Sequence, residues 1–110
     1  MVIKFKKEPM KTQSIYKIPL ELKDTIPGYL TRRDQDIQAL KTYALNDDYT
    51  SISKLGHKLK GNGSSFGFDY ISELGSLLMQ SSDLKNKDEI KKLISDFENE
   101  VFNIKKSILL

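Results

Sequence analysis

Apolar residues recur through the last quarter of the chain at Ile90, Leu93, Ile94, Phe97, Val101, Ile104 and Ile108, three or four positions apart. That spacing keeps them on one face of a helix with 3.6 residues per turn, while Lys91, Lys92, Asp96, Glu98 and Lys106 take the other side. It predicts a helix over about 87–108. Upstream, Ile71, Leu74, Leu77 and Leu78 follow Asp69, whose carboxylate suits an N-cap. They predict a helix ending near residue 80 or 82, with Ser81, Ser82, Asp83 and Asn86 in the turn beyond. Ile52, Leu55 and Leu59 predict another over about 48–62 or slightly further, with Asn46-Asp47-Asp48 supplying a break and capping oxygens. Leu30, Ile37, Leu40, Ala44 and Leu45 predict one over about 28–46, whose opposite face carries Thr31, Arg32, Asp36 and Lys41.

A short extra helix is expected over 19–26, because proline at a first helical position loses no hydrogen bond. Leu20, Leu22 and Ile26 would cover one end of the core, and Pro27-Gly28 would break or kink the chain, with Pro27 itself able to begin the next helix. Neither strands nor repeats stand out. Four amphipathic helices with short connections predict an all-α fold, an antiparallel four-helix bundle over 19–110 preceded by an arm over 1–18.

Composition narrows the function classes. A chain of 110 residues suits one modest core. No apolar run approaches the ~20 residues of a membrane span, and MVIKFKKEPMK lacks the apolar stretch of a secretory signal. The absence of cysteine excludes disulfides and thiol chemistry and fits a cytoplasmic location. The net charge of +3 is uneven. Residues 1–17 hold five lysines and one acid, a net of +4, which leaves 13 basic and 14 acidic residues, or −1, for the rest. A basic arm on a near-neutral domain reads as a solvated tail, and nucleic acid is not the expected partner. GNGSSFG, residues 61–67, has neither the lysine–hydroxyl pair nor the preceding strand of a phosphate-binding loop.

The candidate chemistry lies in Ser51 to Gly75, around the only histidine, His57. It is two residues from Leu55 and two from Leu59, hence ~200° from each around a helix and directed away from the core. Gly61, one turn on, shares the exposed ridge. Glycine within a helix costs roughly 1 kcal/mol relative to alanine, and at Gly61 it leaves space beside the imidazole. Gly61 and Gly63 also suit a helix that ends at Asn62. Gly67 suits a positive φ in a tight connection, and Gly75 a close approach to the histidine helix. Lys58 and Lys60 flank the site with positive charge, while Arg32 and Arg33 read as surface or ion-pairing residues.

The run His57-Lys58-Leu59-Lys60-Gly61, then Phe66-Gly67, then Leu74-Gly75, resembles the signature of histidine-containing phosphotransfer domains of the bacterial stand-alone type. The segment IPGYLTRRDQDIQALKTYALNDD is similar to their first helices, so the likeness runs from about Leu20 to the end of the third main helix. It implies a phosphorelay intermediate without ATP-binding or autokinase activity. His57 would be the phosphoacceptor, attacking through Nε2, with Lys60 and then Lys58 stabilising the phosphoryl oxygens and Gly61 admitting the partner. It implies receiver domains or a hybrid histidine kinase as partners, Mg²⁺ held by the receiver, and no cofactor on this chain. The bundle can be complete as a monomer. At Met79 the chain departs from the family, which often has Gln or Glu facing the histidine there; Gln80 is adjacent but about 100° round the helix. Two other classes compete. A receiver-docking bundle without phosphate turnover would bind independently of His57, and a nucleic-acid-binding arm would lose affinity steeply with salt.

Overall fold

The computed structural model describes residues 20–109; the arm expected over 1–18 lies outside them. The described residues are all-helical, with no strand among them. Four helices, α1 (Ile26–Leu45), α2 (Tyr49–Phe66), α3 (Asp69–Asp83) and α4 (Lys87–Leu109), follow a 3-10 helix over Leu20–Thr25.

Each boundary has a local cause. Pro27 falls in the first turn of α1, where its missing N–H costs nothing, so of the two readings of Pro27-Gly28 it is the helix start that holds and not the kink. The Asp48 side chain caps α2, accepting from the Ser51 N–H at 3.1 Å and the Ser51 hydroxyl at 2.7 Å. At the other end Gly67, at φ 82°, ends α2, and the amides of Gly67 and Phe68 return to the carbonyls of Ser64 and Gly63. Doubling back in this way satisfies carbonyls that the last turn would leave open. Asp69 is not the N-cap of α3 but its first residue, where its charge favours the helix dipole; buried Phe68 holds the cap position. Asn86 Oδ1 accepts from the Glu89 amide at the start of α4.

One cluster of buried side chains unites the four helices, including Ile37 and Leu40 of α1, Ile52 and Leu59 of α2, Leu74 and Leu78 of α3, and Phe97 and Ile104 of α4. Across α1 and α4, Asp34 pairs with Lys105 at 2.6 Å and Lys41 with Glu98 at 3.0 Å. These pairs are part-exposed and contribute about 0–1 kcal/mol each; apolar burial holds the helices together.

Several sequence expectations change. α2 runs through Gly61 and Gly63 to Phe66 instead of closing near Asn62. Ser81 and Ser82 are buried inside α3, not in a turn. Leu20 and Leu45 are 79% and 86% exposed, so neither joins the core, and Leu22 is only half-buried. Ile108, at 38% exposure, is only partly covered. Arg33 is ion-paired, one of the two roles expected of it, but it is buried and not at the surface: its Nε donates to Asp36 at 2.8 Å and its guanidinium lies 4.5 Å from the centre of the Tyr29 ring.

Candidate functional site

α2 carries Lys54, His57, Lys58 and Lys60 and no acidic residue. His57 and these three lysines are exposed, while Ile52, Leu55, Gly56, Leu59 and Gly63 are buried. The imidazole is therefore on the solvent side of a helix anchored through its opposite face. None of the three lysines forms an ion pair with a described residue. Their charge is accordingly available to an incoming anion.

A Cβ built on Gly61 would meet nothing within 4 Å. No contact inside the described chain requires glycine there, although a helix interior disfavours it by roughly 1 kcal/mol. The space it leaves opens outward, beside the turn that carries His57 and Lys58.

The turn below the imidazole is pinned from two sides. From α3, the Ser72 hydroxyl donates to the Lys60 carbonyl at 2.8 Å. From α1, the Tyr29 hydroxyl donates to Asn62 Oδ1 at 2.8 Å. The Tyr29 ring is fully buried and packs on Phe66 and Phe68 with centroid separations of 4.3 and 5.4 Å. Burial pushes its phenol above the ordinary value, with the Arg33 guanidinium opposing. The Asp48 carboxyl at the other end of α2 is held below its ordinary value by the hydrogen bonds from Ser51.

The structure thus places His57, Lys58, Lys60 and Gly61 on consecutive turns of one exposed helix surface. It also settles how α3 addresses that helix. A Cβ on Gly56 would stand 3.2 Å from Met79 Cγ, so Met79 lies against the residue preceding His57, whereas Gln80 is exposed. The neighbour of the histidine turn is a thioether with no strong donor or acceptor. Ser72, Tyr29 and Asn62 were not singled out from sequence. Ser72 is twelve residues from Lys60 and Tyr29 thirty-three from Asn62, and no periodicity within one helix reports such pairings. Among the described residues no group of three or more His, Asp or Glu side chains converges on a common point, and no helix is long and apolar enough to cross a membrane. Compared with family models, curated proteins and solved structures, the chain matches none.

Proposed function

We propose that this chain is a histidine phosphotransfer protein, an antiparallel four-helix bundle that relays a phosphoryl group between the aspartates of receiver domains, with His57 as phosphoacceptor. The observation that carries the reading is the combination of an exposed His57 with open space at Gly61 on the same helix. The helix directions are supported by the α1–α4 ion pairs: Asp34 meets Lys105 while Lys41, further along α1, meets Glu98, earlier along α4.

In the proposed reaction, neutral His57 keeps its proton on Nδ1 and attacks phosphorus with the Nε2 lone pair. The N–P bond forms as the bond from phosphorus to the donor's aspartyl oxygen breaks, and that oxygen leaves as carboxylate. Charge is conserved: a neutral imidazole becomes a phosphorylated imidazolium, and the Nδ1 proton is free to leave afterwards. Imidazole suits this exchange because its neutral form is abundant near neutral pH. Such a transfer depends on in-line positioning and on charge stabilisation. Lys60 supplies the first ammonium, its backbone held by Ser72, and Lys58 the second.

The test is incubation with a phosphorylated receiver from the same organism. The wild type should acquire acid-labile phosphate, and His57→Gln should remain unlabelled. Equal labelling of both would overturn the proposal. Receiver binding that survives His57→Ala, with no phosphohistidine from any donor, would select the docking-only reading.

A further inference from the structure

On α2, Lys54, Lys58 and Asn62 follow one another at four-residue steps and form one ridge of the helix, beside the ridge of His57 and Gly61. At 1.5 Å per residue the ridge spans roughly 12 Å. Both lysines are exposed, and neither forms an ion pair with a described residue. Asn62 differs from them: it is half-buried and held from beneath.

That hold fixes which way its amide faces. Tyr29 is fully buried, and the acceptor its hydroxyl finds is Asn62 Oδ1, at 2.8 Å. Turning the amide over would set Nδ2 against the phenol oxygen and leave the phenolic proton buried without an acceptor, which is the costlier arrangement. Oδ1 therefore faces inward and Nδ2 outward. Nδ2 has no hydrogen-bond partner among the described residues, yet among them Ser82 Oγ alone is both unpartnered and buried. The amide nitrogen accordingly opens to solvent. The ridge presents donors only: two ammonium groups and one pre-oriented amide.

A row of donors without an acceptor selects its partner by sign. We infer that this ridge docks acidic side chains of the receiver, with the Asn62 amide as the fixed hydrogen-bond donor at its end. The inference rests on the phosphotransfer reading and adds to it a residue that governs partner choice without touching phosphorus. Because Tyr29 already orients Asn62, the amide gives up little freedom on binding. The lysines mainly speed encounter and reject partners of like charge.

The test is transfer kinetics at increasing concentrations of a phosphorylated receiver that labels the wild type. Asn62→Asp keeps an acceptor for the Tyr29 hydroxyl and turns the outward donor into a carboxylate. It should raise KM roughly tenfold and leave kcat within about twofold. Lys54→Glu alters an exposed residue that the proposed reaction does not use. It should raise KM several-fold with kcat likewise kept, and it decides the matter where Asn62→Asp fails to fold. A merely structural role for Asn62 predicts an unchanged KM in Asn62→Asp. An unchanged KM in either folded variant overturns the inference and leaves the phosphotransfer reading standing. A wild type that no receiver labels overturns both.

Discussion

The backbones of Gly56 and Gly75 touch across α2 and α3. A Cβ on Gly75 would collide with the Gly56 carbonyl oxygen and stand 2.5 Å from the Lys60 nitrogen, and a Cβ on Gly56 would stand 2.7 Å from the Gly75 carbonyl oxygen. Backbone, unlike a flexible side chain, cannot turn aside, so any larger residue must push the helices apart. Gly75→Ala should therefore destabilise the chain by about 1–3 kcal/mol despite alanine's higher helix propensity. Urea denaturation measures this, and an unchanged or raised midpoint would disprove the close contact.

Gly61, fourteen residues before Gly75 and in the same helix as Gly56, should behave in the opposite way. Its Cβ would enter open space, so Gly61→Ala should stabilise the fold by about 0.5–1 kcal/mol. Gly61→Phe should also fold, yet slow phosphoryl transfer from a receiver by roughly a hundredfold if a partner must approach there, as expected for a small misplacement of reacting groups. Stopped-time labelling beside a thermal melt separates the two effects. Unimpaired transfer in Gly61→Phe would mean that the space serves no partner.

The cap at Asp48 gives a dependence on acid. Hydrogen bonds from Ser51 lower its pKa in the folded chain, so the carboxylate contributes stability above its unfolded value of 3.8. That contribution is lost as pH falls through the lower folded value. Asp48→Ala should have a lower urea midpoint than the wild type at pH 7, with the gap closing in strong acid. Asp48→Asn keeps a capping oxygen and should lose less at pH 7.

At the other end of the pH scale stands Tyr29. Its folded-state phenol is raised above 10.0 by burial, so stability is full below the unfolded value and declines as pH rises towards the folded one. Tyr29→Phe strands the acceptor on Asn62 and should cost about 1 kcal/mol at pH 7. The variant should lose less of its remaining stability above pH 10, a comparison that denaturant titrations at pH 7 and pH 10.5 provide. A steeper alkaline loss in the variant would contradict the burial argument.

Sequence alone determined the features that depend on one helix at a time. The period of α4 from Ile90 to Ile104, the cap at Asp48, the left-handed turn at Gly67 and the direction of His57 away from Leu55 and Leu59 all follow from residue spacing and local backbone sterics. The tertiary structure decided what each face meets. Leu45 fits the apolar period of α1 as well as Leu40, yet as the last residue of that helix it is 86% exposed. Arg33, read as a surface or ion-pairing residue, does pair with Asp36 but is buried, because Tyr29 and Asp36 offer it a ring and a carboxylate. Gly61 and Gly63 suit a helix end, but α2 continues because Gly63 is pressed against the Ser72 amide, 2.6 Å from where its Cβ would lie. Periodicity states which side of a helix is apolar; only a second surface at contact distance determines whether that side is covered, how closely, and by what.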